Sequence, residues 1–248
     1  LEVQFAVSSM GAVFTPLNKQ LMTDQVRHIV NHAEVEVIVA DPHLAGPLGT
    51  ALRECPTVRA VVFTGLEPLG PSVEQIPEGV AVHSYEELLD GRSTVYAWPE
   101  LDENTTAAIC YSTGTSGAPK GVAYSHRSIY LQAMALRTTD SLAVSHGESF
   151  LCCVPIYHVL SWGVPYAAFM SGTPLVFPDS DVSAPTLARL IAGLHRPVLL
   201  GLAEPEEAAA GPHLRLADQH PVVVARGGGG RALGGRLLGL GFRLPALG

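Results

Sequence analysis

The sequence is short of charged and aromatic residues, and it lacks an excess of basic ones. Charged residues make up 15% and aromatic residues 6% of its 248 positions, and the formal net charge is -8. Nucleic-acid binders need clustered lysine and arginine to neutralise phosphates, so this balance argues against a general nucleic-acid partner. The 47% of hydrophobic residues is enough to bury a substantial core, in one large domain or in part of a larger one.

Cysteine is also scarce, and its spacing excludes two common uses. The four cysteines include one adjacent pair and no Cys-x-x-Cys motif, which fits neither a zinc site nor a disulfide framework. They are Cys55, Cys110, Cys152 and Cys153. Buried thiols in a reducing compartment are the simpler interpretation. The chain begins at Leu1 without a basic, apolar leader, so we expect a cytoplasmic protein without a secretory signal.

Residues 150 to 177 contain no Asp, Glu, Lys or Arg, yet they do not predict a membrane span. Pro155, Pro165 and Pro174 divide the stretch into pieces shorter than the roughly 20 apolar residues that a spanning helix needs. We therefore expect buried core here and no transmembrane segment. Residues 219 to 248 differ from the rest, because they hold four arginines and no acidic residue.

Helix-like and strand-like runs alternate along the chain. Periodic apolar positions predict helices, the first with a possible Thr23 cap, at residues 23–33, 48–55, 84–91, 126–142, 161–170 and 185–194. Short apolar runs predict strands at residues 35–41, 58–65, 107–110, 121–125, 150–155, 174–177, 197–202 and 221–225. Residues 66–80, rich in proline and glycine, predict a surface loop. Strands separated by helices of this length imply parallel β-α-β units, so the predicted fold class is α/β with layered parallel or mixed sheets and flanking helices.

The stretch YSTGTSGAPKG at residues 111 to 121 carries the chemistry. Seven of its eleven residues are Ser, Thr or Gly, which leaves backbone amides and hydroxyls open to an anion, and Lys120 adds a positive charge. Apolar runs on both sides predict that it joins two strands. A Walker loop would need Lys followed by Ser or Thr at the start of a helix, whereas here Pro119 precedes Lys120 and Gly121 follows it. A short surface turn is the plainer alternative.

The same eleven positions resemble the phosphate-binding signature of the adenylate-forming superfamily. Residues 111–121 match every defined position of that signature. Three further segments look like the fatty-acyl-CoA synthetase branch of AMP-forming acyl-CoA synthetases: residues 5–18 (FAVSSMGAVFTPLN), residues 24–42 and residues 150–166 (FLCCVPIYHVLSWGVPY). The fold implied is an incomplete portion of the large N-terminal domain of these enzymes.

The resemblance implies a reaction and a set of site residues. ATP and a fatty acid would form an acyl-adenylate, and coenzyme A would then displace AMP to give a thioester. The phosphates would contact Thr113, Gly114, Thr115, Ser116 and Gly117, with Lys120 near them. Ser112 matches a hydroxyl position that can bind Mg²⁺. His158 would lie between the acyl carboxylate and the nucleotide, and Trp162 would line the acyl tunnel; outside the family motif, the usual interpretation of both is core packing.

The sequence also departs from the family pattern. Residues 1–218 predict a partial N-terminal adenylation domain, and residues 219–248 a degenerate Gly/Arg-rich continuation in which Ala225 and Arg226 replace paired glycines. No counterpart of the aromatic-Gly-x-Thr-Glu motif, the ribose-binding aspartate or the small C-terminal domain with its lysine is found. We therefore expect the chain alone to be an inactive fragment. Apolar surface left exposed in this way would permit a homo-oligomer.

Three alternatives stay open or are set aside. The chain is alternatively a non-catalytic nucleotide-binding or interaction remnant, or it derives from an aryl-CoA ligase or a fatty-acyl-AMP ligase. Gly227, Gly229 and Ala232 match part of a Rossmann fingerprint, but no acidic residue follows Asp218, so this reading is rejected. His28, His32 and His126 lack a converging set of ligands and are assigned no metal.

Overall fold

The computed structural model forms two compact units, one of residues 1–126 with 221–248 and one of residues 127–220. It describes residues 1–65, 69–112, 117–147, 149–178, 182–194, 198–200 and 222–227. The described elements, in chain order, are α1 (Glu2–Ser9), β1 (Ala12–Leu17), α2 (Thr23–His32), β2 (Val37–Ala40), α3 (Ala45–Leu52), β3 (Ala60–Phe63), β4 (Ala81–Ser84), α4 (Tyr85–Leu89), β5 (Thr106–Ser112), β6 (Lys120–Ser125), α5 (His126–Leu136), β7 (Phe150–Cys152), α6 (Val164–Ser171), β8 (Leu175–Val176), α7 (Ala184–Gly193), β9 (Val198–Leu200) and β10 (Val222–Gly227). Short 3-10 turns cover Pro42–Leu44, Pro71–Gln75 and Ser161–Gly163.

The first unit is built on a mixed seven-stranded sheet in the order β4-β3-β2-β10-β1-β5-β6. Strands β2, β3 and β4 pair in parallel, as the β-α-β pattern predicts, whereas β10 lies antiparallel between β1 and β2. Every residue of β2 and of β3 is buried, which is typical of central strands covered on both faces. The predicted strand at residues 221–225 is therefore found, and it lies inside the sheet.

Helices α2 and α3 supply side chains to the core of this unit. Ile29 and Val30 of α2 are completely buried against Ile38, Val61 and Phe63 of the sheet. Full burial of a side chain of this size contributes about 1.5–3 kcal/mol. The amphipathic pattern of residues 23–33 is thus confirmed as a helix with one buried face.

Several predicted boundaries are wrong. Thr23 does not cap α2: Met22 occupies the cap position, and its amide donates to the Gln25 side-chain oxygen at 3.0 Å. Helix α3 begins at Ala45, ahead of the predicted start at residue 48, and α5 ends at Leu136, well before residue 142. The predicted loop at residues 66–80 contains a 3-10 turn, because Pro71 fixes a helical φ at its first position.

The second unit holds a three-stranded parallel sheet in the order β8-β7-β9. Phe150 and Cys152 of β7 are buried together with Val164 and Ala168 of α6, and Ala133 of α5 completes this core. The apolar stretch predicted as buried core therefore forms strand, turn and helix. Within the described residues, no helix is both long enough and apolar enough to cross a membrane.

The thiols are mostly where the sequence places them. Cys55, Cys110 and Cys152 are buried, and burial raises the pKa of Cys152 to about 11. Cys153 is only half-buried, so the expectation that both members of the adjacent pair lie in the core is wrong for this residue. Cys153 lies just beyond β7, which ends at Cys152, so it is not covered on both faces as the strand residues are.

The domain boundary at residue 218 stays a prediction.

Candidate functional site

The signature stretch begins and ends in an antiparallel hairpin. In β5 and β6, Ser112 lies opposite Lys120 and Tyr111 lies opposite Gly121. The predicted arrangement of two strands joined by the Gly/Ser/Thr-rich loop is therefore confirmed. The phosphate-contacting candidates Thr113, Gly114, Thr115 and Ser116 lie outside the described residues. Gly117 has a φ of +113°, a conformation that side chains with a Cβ rarely adopt.

Ser112 and Lys120 form the first local group of predicted site residues. Both are exposed, and Lys120 begins the edge strand of the sheet. Opposite residues of an antiparallel pair project to the same face, with Cβ atoms about 4.5–5.5 Å apart. Among the described residues, Lys120 has no carboxylate partner within ion-pair distance. A hydroxyl and an ammonium group thus face solvent together at the base of the loop.

Tyr111 and Gly121 pack against each other directly below this group. A Cβ atom at Gly121 would lie 3.0 Å from Cζ of Tyr111 and 3.1 Å from Cγ2 of Ile109. The last glycine of the signature therefore leaves room for the tyrosine ring to cross β6. The ring packs against the hydrophobic core of the first unit, and this burial raises the pKa of the Tyr111 phenol.

Two histidines of α2 contact the same hairpin. Nε2 of His28 lies 3.1 Å from the carbonyl oxygen of Pro119, and Nδ1 of His32 lies 2.6 Å from the Tyr111 hydroxyl. The two imidazole rings are stacked with centroids 5.6 Å apart. The i, i+4 spacing of the histidines puts them on one helical face, which is a signal that the sequence contains but that our motif-based interpretation left unused.

His158 and Trp162 form the second local group, in the second unit. Both side chains are exposed, and their ring centroids are 6.5 Å apart. Between them the backbone is left-handed: the φ angles are 49° at Val159, 56° at Leu160, 52° at Ser161 and 57° at Trp162. The predicted helix from residue 161 therefore begins properly only at Val164, after this turn and Gly163 at φ 85°.

Hydrogen bonds and burial hold the left-handed turn. The completely buried Ser161 donates its hydroxyl to the carbonyl oxygen of Val154 at 2.8 Å, and Leu160 is 3% exposed. The Gln132 side-chain amide donates to the carbonyl oxygen of Trp162 at 3.4 Å. Left-handed non-glycine residues cost about 1–2 kcal/mol each, and such strain is concentrated at functional sites. Leu160 and Ser161 are buried, whereas His158 and Val159 before them and Trp162 after them are exposed, so the turn presents the imidazole and the indole to solvent.

A profile of the AMP-binding enzyme family matches residues 1–199. The medium-chain-fatty-acid–CoA ligase of Ectopseudomonas oleovorans is 37% identical over 202 residues, covering 82% of this chain and 36% of that protein. The 3-methylmercaptopropionyl-CoA ligase of Ruegeria lacuscaerulensis is 38% identical, covering 77% of this chain and 35% of its own length. The chain thus spans about a third of the curated relatives it matches.

The solved structures agree at the level of the fold. ATP-bound MatB from Rhodopseudomonas palustris superposes with a TM-score of 0.60 at 18% identity, covering 79% of this chain and 35% of MatB. The predicted fold, a portion of the N-terminal part of an adenylate-forming enzyme, is therefore confirmed. Because the family profile spans most of the chain and includes both groups of candidate residues, this chain belongs to the family of AMP-binding enzymes.

Proposed function

We propose that the chain takes part in the ATP-dependent activation of a carboxylic acid, and that the complete enzyme joins a medium- or long-chain fatty acid to coenzyme A. The observation that carries the proposal is the hairpin at residues 106–125, where Ser112 and Lys120 face solvent from opposed strands on either side of the signature loop. Support for the acyl-CoA product comes from the ligases that the chain resembles at 37–38% identity.

The proposed reaction has two displacements. A carboxylate oxygen attacks the α-phosphorus of ATP, and pyrophosphate leaves to give an acyl-adenylate. The thiol of coenzyme A then attacks the acyl carbon, and AMP leaves as the thioester forms. Lys120 would neutralise charge on the β- and γ-phosphates as the bond to the α-phosphorus breaks, with the loop residues Thr113 to Gly117 around them. Holding the two reactants in line supplies much of the remaining acceleration.

Magnesium would arrive bound to ATP. Mg²⁺ prefers oxygen ligands and keeps several waters and substrate phosphates in its shell, so one protein hydroxyl is a sufficient contribution. Ser112 is exposed at the end of β5 and offers such a hydroxyl beside Lys120. Within the described part of the chain, no three His, Cys, Asp or Glu side chains lie close enough together to hold an ion by themselves. The residues present fit a metal carried by the nucleotide.

For the acyl side of the reaction we propose His158 and Trp162. The left-handed turn presents the imidazole and the indole 6.5 Å apart at the surface of the second unit. An imidazole can donate a hydrogen bond to a carboxylate, and an indole face suits an apolar chain. The relative named as a 3-methylmercaptopropionyl-CoA ligase, whose acyl group is a short thioether acid, is 38% identical to this chain. The proposal of a medium- or long-chain fatty acid is therefore more specific than the proposal of an acyl-CoA ligase.

A second candidate function is nucleotide binding without catalysis, because the chain covers only part of the length of the ligases that it matches. The 248 residues contain no aromatic-Gly-x-Thr-Glu motif, and the chain spans about a third of the matched ligases. On its own we therefore expect this polypeptide to bind Mg-ATP without turning it over. Acyl-dependent exchange of pyrophosphate into ATP tests the first displacement, and coenzyme A-dependent thioester formation tests the second. Robust activity of this chain in either assay would contradict the expectation.

The lysine content allows a direct test of the nucleotide site. Lys19 and Lys120 are the only lysines in the sequence. We expect Mg-ATP to protect Lys120 from an amine-reactive ester in peptide mapping, while Lys19 serves as an internal control. Lys120→Ala should weaken Mg-ATP binding about tenfold or more in calorimetric titration, because charge-assisted contacts are the strong ones. Lys19→Ala should leave the Kd unchanged. Equal labelling of both lysines with and without saturating nucleotide would remove the basis of the proposal.

A further inference from the structure

We propose that His28 and His32 are positioning residues that fix the two stems of the phosphate loop relative to helix α2. The inference rests on the proposed function of the loop, and it assigns a role to two residues outside the signature. Each histidine contacts a different stem: His28 reaches Pro119 just before β6, and His32 reaches Tyr111 near the end of β5.

The contact of His28 holds the stem that leads into Lys120. Pro119 is buried and has no N–H group, so its backbone can be anchored by a hydrogen bond only through the carbonyl oxygen. This oxygen accepts, and therefore Nε2 of His28 carries the hydrogen and donates over 3.1 Å. The bond restrains the peptide that immediately precedes the catalytic lysine candidate.

The contact of His32 holds the opposite stem. The Tyr111 ring crosses β6 over Gly121 and meets the His32 ring edge to face, with centroids 5.7 Å apart and an angle of 89°. Its hydroxyl lies 2.6 Å from Nδ1 of His32, a short hydrogen bond. Tyr111 precedes Ser112 directly, so the restraint acts one residue from the proposed magnesium ligand.

The histidines act together because they stack on one face of the helix. Their ring centroids are 5.6 Å apart with an interplanar angle of 30°. Helix α2 is itself fixed by Ile29 and Val30, which are completely buried in the core. The loop between the stems is therefore attached at both ends to one rigid element. Preorganised groups stabilise a transition state at no cost of reorganisation, which is the advantage such a clamp would give to Lys120 and Ser112.

The test compares Mg-ATP affinity in variants of the clamp with a control on the same helix. His28→Ala and Tyr111→Phe should each raise the Kd for Mg-ATP about two- to tenfold, the range expected for one lost hydrogen bond. His28→Gln keeps an amide donor and should restore most of the affinity. His32→Ala combined with Tyr111→Phe should weaken binding no more than either change alone, because both remove the same contact. Asn31→Ala removes a 2.9 Å bond to the Glu54 carbonyl and should leave the Kd unchanged.

The outcomes separate this inference from the proposed function. If the wild-type chain binds Mg-ATP and the clamp variants bind it equally well, the positioning role is wrong and the nucleotide site stands. If the wild type does not bind Mg-ATP, the proposed function fails, and hydrogen–deuterium exchange of peptides covering residues 108–125 decides the clamp. Exchange there should be about two- to tenfold faster in His28→Ala and Tyr111→Phe than in Asn31→Ala. Equal exchange in all three overturns the clamp.

Discussion

The left-handed turn between His158 and Trp162 makes a prediction whose sign depends on the backbone conformation. Val159 has a φ of 49° and is 40% exposed, so its side chain contributes little to the core. A β-branched residue at positive φ is a clear outlier, and each left-handed non-glycine residue costs about 1–2 kcal/mol. The four such residues from Val159 to Trp162 therefore store on the order of 4–8 kcal/mol.

Replacement of Val159 by glycine and by alanine isolates this strain. At φ 49°, glycine avoids the cost of about 1–2 kcal/mol that alanine still bears, and it loses about 0.5–1 kcal/mol through the greater entropy of its unfolded chain. We therefore expect Val159→Gly to be more stable than Val159→Ala by about 0.5–1 kcal/mol. In an extended or right-handed backbone the order would be reversed, because only the entropic loss would remain.

Urea denaturation followed by tryptophan emission can measure this difference in the second unit. The chain has two tryptophans, and Trp98 is an exposed residue of the first unit. In a Trp98→Phe background, emission reports Trp162 alone. The free energies of unfolding of the two Val159 variants should then be compared at equal m-values. If the alanine variant is the more stable one, the left-handed assignment and the strain argument built on it are refuted.

Three further predictions concern the rest of the chain. Gly49→Ala should destabilise the protein by about 1–3 kcal/mol, although alanine favours helices, because the new Cβ would lie 2.1 Å from a backbone oxygen. Gly46→Ala meets only a flexible side-chain amide at 2.8 Å, so its melting temperature should stay close to that of the wild type. Burial lowers the pKa of His83, so the unfolded state binds more protons than the folded state at mildly acidic pH. The free energy of unfolding should therefore fall as pH drops below about 6.5, and His83→Gln should reduce this dependence on pH in urea titrations. Iodoacetamide should modify half-buried Cys153 before Cys152, which is completely buried; early labelling of Cys152 in mass spectra would contradict the packing of β7.

Much of the architecture follows from hydrophobic pattern. The runs VIVA and AVVF are found as fully buried parallel strands, and the apolar face of α2 lies on the core. Helix ends were less predictable, because they depend on local geometry. Thr23 has the residue type of a cap, but the chain enters α2 with Met22 at the cap position and the Gln25 side chain bonded to its amide. Side-chain type alone does not fix where helical dihedrals begin.

The sequence motif predicts the candidate site, whereas part of the geometry around it lies outside the motif. Ser112 and Lys120 were predicted from the signature, and the hairpin brings them to opposed positions. The left-handed turn after His158 had no comparable signal, since Val159, Leu160 and Trp162 are residues that ordinarily avoid positive φ. Specific side-chain hydrogen bonds hold it, from Ser161 to Val154 within the loop and from Gln132 of α5 to Trp162, and a hydrophobic pattern does not record them.

Tyr111 and Gly121, the first and last residues of the signature, serve packing in this structure. The tyrosine ring crosses β6 where the glycine has no side chain, and its hydroxyl reaches His32 on α2. The motif therefore contributes the contacts that attach the hairpin to the core, in addition to the proposed phosphate loop. His32 precedes Tyr111 by 79 positions, so this contact cannot be recognised in the sequence. It forms because the fold brings α2 and the hairpin together.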